Sequence, residues 1–312
     1  MPTVSLARES TRYHTVSRAL HLTQSDIAAT LTQPRRILIK PNFVFDSNQL
    51  CATHVDTTRA IIDFLQAYDP KEVIIAESSA QSATRAFTNY QYHQLAREYG
   101  IELIDLDDDA YDEATIFTRL RDGRFGTTTV RVSKTILDAE YRISPAVMKT
   151  HDTVIVTLSL KNIVMGAVLD KTQMHQGYEA MNFNLYTIAK RMPVHLAVID
   201  GWQAMEGNGP VRGTALDVRT VLASTDFIAA DIIGAEIMGF NPENIGYLQY
   251  AAGRYGFHPL GVGDRDKITV VGEQLDDLKR TFRPHDSYHA QLAWKIPDTL
   301  IPEMNTILNA TD

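Results

Sequence analysis

Short apolar runs alternate with amphipathic helical segments in the first third of the chain, and this order limits the fold more than any other feature. Residues 56–68 place apolar side chains on one helical face, and residues 87–99 do the same before Gly100. Strands that alternate with helices predict a mostly parallel sheet with right-handed crossovers, whose carboxyl edge usually binds ligands. Buried strands are predicted at 36–40, 72–77 and 101–105, so that this edge would carry Lys40, Glu77 and Asp105.

The second half of the chain repeats this pattern. The polar stretch 107–126, with its aspartate run at 107–109, is interpreted as a solvated loop between the halves rather than as a metal site. We therefore predict an α/β protein of two closely joined halves, residues 1–126 and 127–312, with mostly parallel sheets and a cleft between them. Later strands are predicted at 127–132, 196–200 and 267–271, and a helix at 226–238.

The composition excludes several classes of protein. At 312 residues and 44% hydrophobic content, the chain can bury a large core. A formal net charge of -8 and the lack of a basic run argue against nucleic-acid binding. Because Cys51 is the only cysteine, one chain cannot form a disulfide, an iron–sulfur cluster or a zinc ribbon. We also expect no signal peptide, no membrane span and a reducing, cytoplasmic location.

Lysine and histidine interrupt an otherwise apolar segment, Val147–His175. Lysine is rarely buried without a partner, so its presence in such surroundings indicates a site. Residues 153–160 alternate like a strand, and ten residues of strand span about 33 Å. The chain must therefore bend between His151 and Lys161 if both serve one small site; otherwise they contact different ends of a long ligand. The candidate residues are Lys149, His151, Lys161 and His175.

Each candidate has a functional and a structural interpretation. Lys161 is an anion clamp, a Schiff-base nucleophile or a covalent attachment point, or else a lysine whose stem packs while its ammonium reaches water. His151 transfers a proton or ligates a metal, or it is a core histidine bonded to the backbone. Lys149, two positions earlier, favours the functional interpretation of His151. His175 follows a polar turn, which suits a loop histidine without a role as well.

A glycine-rich loop follows the apolar strand that is predicted to end at Asp200. Residues 200–213 contain four glycines and Pro210, and glycines let backbone N–H groups approach an anion closely. The loop matches neither a phosphate-binding loop nor a dinucleotide fingerprint, and a tight structural turn is the alternative. With polar groups that follow earlier strands, the predicted substrate-binding residues are Lys40, Asn42, Asn162, Glu206, Gly207, Asn208 and Gly209.

Three motifs carry a resemblance to a known family. They are IKPNF at 39–43, the KTH and SLKN pieces within 149–162, and DGWQAMEGNGPVRG at 200–213. With them, nearly the whole chain resembles domain-of-unknown-function family 362. Many members look like iron–sulfur proteins because they carry ferredoxin-type cysteine clusters, whereas this chain has Cys51 alone.

Residues 127–175 are also similar, more faintly, to the nickel-pincer lactate racemase family. His151, Lys161 and His175 follow the order in which the racemases place a histidine, a modified lysine and a second histidine. The resemblance implies a metal near His151 and His175, and a covalent nickel-pincer nucleotide on Lys161. The segment DTVIVTLSL stands where the racemases have a glycine-rich sequence.

The leading hypothesis is an enzyme that binds a small anionic, carboxylate-bearing metabolite in the cleft. The expected reaction is that of a metal-assisted isomerase, a racemase or a lyase. The sequence does not identify the cofactor, and a divalent metal is one candidate. The alternative is a non-catalytic protein whose lysines bind an anion or a partner. The predicted catalytic residues are Lys149, His151, Lys161 and Asp200, and the predicted metal ligands are His151 and His175.

Overall fold

The computed structural model describes residues 1–32, 36–120, 122–302 and 304–305. The strands are β1 Thr3–Ala7, β2 Ile37–Ile39, β3 Val73–Glu77, β4 Glu102–Asp105, β5 Tyr111–Arg119, β6 Phe125–Ser133, β7 Tyr141–His151, β8 Ile155–Thr157, β9 Leu196–Glu206, β10 Thr214–Leu216, β11 Thr220–Ser224 and β12 Thr269–Gly272. The helices are α1 Arg12–Leu22, α2 Gln24–Thr30, α3 Val55–Gln66, α4 Ala83–Asn89, α5 Tyr92–Tyr99, α6 Lys134–Leu137, α7 Ser159–Ala167, α8 Lys171–Met174, α9 Tyr178–Ala189, α10 Phe227–Ile237, α11 Gly246–Ala251, α12 Leu275–Leu278 and α13 Tyr288–Gln291.

One large sheet connects both parts of the chain. Its order is β12-β1-β11-β9-β7-β2-β3-β4, with β10 paired to β9 and β8 paired to β7. The neighbours from β9 through β7, β2 and β3 to β4 are all parallel, as are β1 and β12, while β11 is antiparallel to both β1 and β9. The predicted α/β fold with a mostly parallel sheet is thus confirmed.

Helices cover both faces of this sheet because its strands are apolar on both sides. In β2, Ile37 and Ile39 belong to the core that Ile61 and Leu65 of α3 join, and Leu38 belongs to the opposite core with α7, α9 and α10. Because β7, β2, β3 and β4 are parallel, their carboxyl ends lie at one edge of the sheet. Ligand sites of such sheets usually lie at this edge.

The helix predicted at 226–238 is confirmed as α10. The Asp226 side chain accepts hydrogen bonds from the N–H groups of Ile228 and Ala229, and the chain leaves the helix at Gly239, whose φ is +81°. A left-handed backbone conformation at that position favours glycine, which has no Cβ to clash.

Two predicted elements differ in the structure. The single helix predicted at 87–99 is divided into α4 and α5, because Gln91 adopts a left-handed φ of 66° between them. The stretch 107–126 is not a solvated loop throughout, since β5 forms an antiparallel hairpin with β6. Ala114, Ile116 and Phe117 of β5 are buried in the core that includes α9.

The chain bends sharply inside the Val147–His175 segment. β7 ends at His151, turns back into the short strand β8 and then enters α7. The strand predicted at 153–160 is therefore present only at Ile155–Thr157, because a turn precedes it and Ser159 begins a helix. This bend puts His151 and Lys161 within reach of the same edge of the sheet.

The predicted division at 126/127 falls within β6, which spans Phe125–Ser133. β2 from the first part pairs with β7 from the second, so the two parts share one sheet. The division into 1–126 and 127–312 stays a prediction. In the described part of the chain, no helix is long and apolar enough to cross a membrane.

Candidate active site

A cavity of about 500 Å³ opens at the carboxyl edge of β2, β3 and β7. Side chains from both parts of the chain line it, as expected for a cleft between them. Apolar contacts come from Phe43, Met165 and Leu169. The polar and charged lining residues include Lys40, Asn42, Glu77, Ser78, Asp107, His151, Asp152, Lys161, Asn162, Asp170, Lys171 and His175.

Lys40 forms part of the wall of this cavity and is already fully engaged. Its Nζ donates to Glu77 Oε2 at 2.7 Å, to Asn162 Oδ1 at 2.9 Å and to the Pro41 carbonyl at 2.7 Å. An ammonium has three hydrogens, so none is left for a ligand. Gly166 lets α7 pass over this amine, because a Cβ there would lie 1.6 Å from Lys40 Cε. These contacts give Lys40 and Asn162 a structural role, and their substrate-binding role stays a prediction.

Lys149 is completely buried, and it does not line the cavity. Its Nζ donates to Asn42 Oδ1 and, at 3.1 Å, to the Cys51 carbonyl. Burial, together with the nearby Lys161 and Lys40 ammonium groups, lowers the pKa of Lys149 to about 7. Asn42, which was predicted to bind substrate, lines the cavity, whereas Lys149, which was predicted to be catalytic, does not. The structure thus gives Lys149 the role of holding Asn42, not of contacting a substrate.

Lys161 differs from Lys40 and Lys149 in its contacts, because its amine has no hydrogen-bond partner in the described residues. It lies in the first turn of α7, its exposed fraction is 5%, and it lines the cavity. Among the residues that the structure describes, its Nζ has no hydrogen-bond or ion-pair partner. Burial lowers the pKa of Lys161 to about 8. Every hydrogen of the Lys161 amine is therefore available to a ligand in the cavity.

Asp231 of α10 sets the start of α7 and hence the position of Lys161. Its two carboxyl oxygens accept hydrogen bonds from Ser159 N at 2.8 Å and Leu160 N at 3.0 Å. Backbone N–H groups at a helix start need such partners. Sequence reasoning missed Asp231, although an aspartate within the apolar helix DFIAADIIGAEIM was a usable signal.

Replacing Asp231 with asparagine is expected to change how stability depends on pH. Burial raises the pKa of Asp231 from 3.8 to about 7. Because the folded-state pKa is raised, this group stabilises the fold fully below about pH 4. Its contribution falls by about 1.4 kcal/mol for each pH unit above 4 and is lost as the pH rises through 7. Urea unfolding of both proteins at pH 4.5 and 7.5 measures this. The advantage of wild type over Asp231→Asn should shrink by a few kcal/mol; a pH-independent difference contradicts the assignment.

His151 presents an N–H group to the cavity. Its Nδ1 accepts a hydrogen bond from the Thr153 backbone N–H at 3.0 Å, so the hydrogen of the neutral ring is on Nε2. Burial, and then the Lys161 ammonium, hold the pKa of His151 well below its ordinary value, so the ring is neutral. Asp152 Oδ1 also lies 3.1 Å from Nδ1, but the backbone N–H can only donate and so decides the tautomer.

His175 has the opposite tautomer. Its Nδ1 lies 2.9 Å from the Lys171 carbonyl, which can only accept, so Nδ1 carries the hydrogen and Nε2 has a free lone pair. Burial lowers the pKa of His175, and the Lys161 ammonium lowers it too. Lys161 is therefore close enough to both histidines to act on their charge. One ring offers a donor to the cavity, and the other offers an acceptor.

These tautomers decide how well the chain fits the metal site that the racemase resemblance implied. His175 Nε2 has a lone pair for a metal, and Lys161 has a free amine for covalent attachment. As folded, His151 offers a metal no lone pair, because Nδ1 is bonded to Thr153 and Nε2 carries the hydrogen. The described residues also contain no cluster of three or more His, Cys, Asp or Glu suited to a metal ion. A metal bound by both histidines does not fit this arrangement.

Lys171 is a cavity residue that sequence reasoning missed. Its Nζ donates to Ser78 Oγ at 2.7 Å, and Ser78 Oγ donates in turn to the Gly166 carbonyl at 2.8 Å. Two of its three hydrogens remain for a ligand. The segment that carries Lys171 and His175 is held by Asp170, which pairs with the Arg131 guanidinium at 2.8 Å.

Asp200 lies outside the cavity. The strand that was predicted to end at Asp200 continues to Glu206, so this carboxylate is inside β9 rather than at its carboxyl end. Asp200 Oδ2 accepts a hydrogen bond from Thr57 Oγ1 at 2.5 Å and pairs with Arg12 Nε at 3.1 Å. These contacts tie β9 to α1 and α3. The structure gives no support to the predicted catalytic role of Asp200.

The glycine-rich loop lines a neighbouring cavity of about 400 Å³ instead. Asn208 and Gly209 line that second cavity, and it shares Asp152 and Pro210 with the first. Glu206 and Gly207 line neither cavity, because both are bonded to the Arg283 backbone, by Oε2 of Glu206 and by N–H of Gly207. Asn208 exchanges two hydrogen bonds with Asp286, through Oδ1 and Nδ2.

Comparisons with known proteins agree with the motifs. Residues 37–236 match the family described as Domain of unknown function (DUF362). The Thylakoid-associated protein sll1697 of Synechocystis sp. is 25% identical over 279 residues, which cover 86% of this chain and 78% of that protein.

Two solved structures match part of this chain. The lactate racemase apoprotein from Thermoanaerobacterium thermosaccharolyticum matches with a TM-score of 0.41 and 10% identity, over 62% of this chain and 49% of that chain. A protein from Thermotoga maritima, solved by structural genomics, matches with a TM-score of 0.35 and 10% identity, over 65% of this chain and 54% of that chain. This chain therefore spans about half the length of each structure.

Proposed function

This chain belongs to the DUF362 family, and we propose that its cavity is the active site of an enzyme that acts on a small carboxylate-bearing metabolite. The reaction is a proton transfer at a carbon or oxygen atom of that metabolite, as in an isomerase, a racemase or a lyase. The observation that carries the proposal is the free Lys161 amine in one cavity with two histidines of opposite tautomer.

Lys171 and Lys161 bind the substrate in this proposal. The Lys171 ammonium has two unused hydrogens and holds the carboxylate, since charge-assisted hydrogen bonds are the strongest that a protein offers to an anion. The Lys161 amine contacts the reacting end of the same molecule. This differs from the sequence-based hypothesis, in which Lys149 took part, because Lys149 is engaged by Asn42 and Cys51.

The histidines move the proton. His175 Nε2 is the base, because its lone pair is free and partial desolvation lowers the pKa of the ring, which keeps it unprotonated near neutral pH. The neutral His151 ring donates its Nε2–H to a substrate oxygen and polarises it without carrying a charge of its own. If a metal takes part, His175 is the histidine that would hold it.

Proton exchange in D₂O tests the proposal. Three- to five-carbon 2-oxo acids and 2-hydroxy acids are incubated with the protein, and the loss of carbon-bound hydrogen is followed by ¹H NMR. We expect exchange with at least one of these acids. His175→Gln should slow it by about 100-fold or more, the usual effect of removing a general base.

His93→Gln is the matched control, since His93 is an exposed histidine outside the cavity. It should exchange at the wild-type rate. Absence of exchange with every acid, or equal rates for wild type and His175→Gln, would overturn the proposed function.

A further inference from the structure

The surroundings of Lys161 Nζ are those of a nucleophile rather than of a simple cation clamp. The Lys171 ammonium, which holds the carboxylate in the proposed function, is oriented by its hydrogen bond to Ser78 Oγ at 2.7 Å. Lys161 has no such partner in the described part of the chain, and apolar Met165 and Leu169 line the same cavity. An amine in such surroundings is desolvated, and this is how proteins activate lysine for attack on carbonyl carbon.

The groups that carbonyl chemistry needs are close to this amine. Lys161, Lys171 and both histidines, His151 and His175, line the same cavity. The Lys161 ammonium also lowers the pKa of both histidines. His151 supplies a donor for a carbonyl oxygen, and His175 supplies an acceptor for a carbon-bound proton. Lys171 supplies a cation for a neighbouring carboxylate. A carbonyl beside a carboxylate, as in a 2-oxo acid, matches all four groups.

We infer that Lys161 forms an imine with the carbonyl carbon of a small 2-oxo acid bound in this cavity. The inference rests on the proposed function and names its substrate class. It also gives the proton transfer a chemical reason, since a protonated imine accepts the electron pair that the leaving proton releases.

The steps balance without an oxidant or reductant. Lys161 nitrogen attacks the carbonyl carbon while His151 donates a hydrogen bond to the carbonyl oxygen. The C–N bond becomes C=N, and the oxygen leaves as water with the two hydrogens that the amine gives up. A proton from solvent water binds the imine nitrogen. His175 Nε2 then takes a proton from the adjacent carbon, and the C–H electron pair forms C=C as the C=N pair moves to nitrogen.

Reductive trapping tests this directly. The protein is incubated with pyruvate, glyoxylate or 2-oxoglutarate and sodium cyanoborohydride, and the adduct is located by intact mass and peptide mapping. One adduct per chain on Lys161 is expected, at least ten-fold above any exposed lysine. Its yield should rise with pH around a midpoint near 8, because the pKa of Lys161 is lowered to about 8.

Two variants complete the test. Lys161→Met should lose the adduct, and Lys71→Met, which removes an exposed lysine at the far end of β3, should keep it. Labelling of Lys161 no faster than that of exposed lysines, with all three acids, overturns the inference. Hydrogen exchange without trapping leaves the proposed function standing and removes the imine, whereas trapping without exchange supports the imine and removes the proton-transfer function.

Discussion

Lys161→Met is expected to abolish hydrogen exchange and to weaken the binding of small carboxylates by about 30-fold or more, with the fold intact. Loss of a buried charged contact to a ligand costs about 2 kcal/mol or more. The fold should be unaffected because, in the described residues, Lys161 Nζ has no protein partner to lose. Methionine has a similar length and avoids the cost of desolvating an ammonium. Calorimetric titration with the acids that exchange, together with circular dichroism and thermal unfolding, measures both effects.

The exposed Lys71 is the control for this variant too, since Lys71→Met should bind and exchange as wild type does. A stability of Lys161→Met equal to or above that of wild type is part of the expectation. Unchanged affinity and exchange in Lys161→Met would show that the cavity binds its ligand without this amine, and the site assignment would then be wrong.

The location of the cavity follows from the sequence, but most of its contacts do not. Lys40 and Glu77 each end an apolar run, and parallel strands place such ends at one edge of a sheet. The contact between Lys40 and Glu77 joins residues of two different strands. Short-range sequence patterns carry no information about such a contact. Lys149 and Lys161 both interrupt the apolar segment Val147–His175 and were both predicted to be catalytic. In the structure, Lys149 is buried against Asn42, whereas Lys161 lines the cavity.

Tertiary contacts also explain the predictions that failed. Asp200 was expected at a strand end because polar and glycine residues follow it, but β9 continues to Glu206 by pairing with β10. The polar stretch at 107–126 contains Ala114 and Ile116, whose alternation is too short to predict a strand without α9 to cover it. Histidine tautomers depend on single backbone contacts, those of Thr153 and Lys171, which no sequence pattern reveals.

The buried pair of Lys40 and Glu77 should be the most costly contact to break outside the apolar core. Both side chains are about 1% exposed. Burial lowers the pKa of Lys40 and raises that of Glu77, and each charge partly offsets the effect on the other. Removal of one partner therefore leaves a buried charge without compensation, which costs about 3–5 kcal/mol.

Lys40→Met is accordingly expected to lower the free energy of unfolding by about 3–5 kcal/mol, as measured by urea denaturation at pH 7. The double variant Lys40→Met with Glu77→Gln should recover part of this loss, because it removes the stranded carboxylate and keeps an oxygen to accept the Phe43 or Ser78 N–H. Lys134→Met breaks the solvent-exposed pair with Asp138 and should leave the free energy of unfolding nearly unchanged. A cost for Lys40→Met as small as that of Lys134→Met would mean that water reaches the pair, and that Lys40 has hydrogens available for a ligand after all.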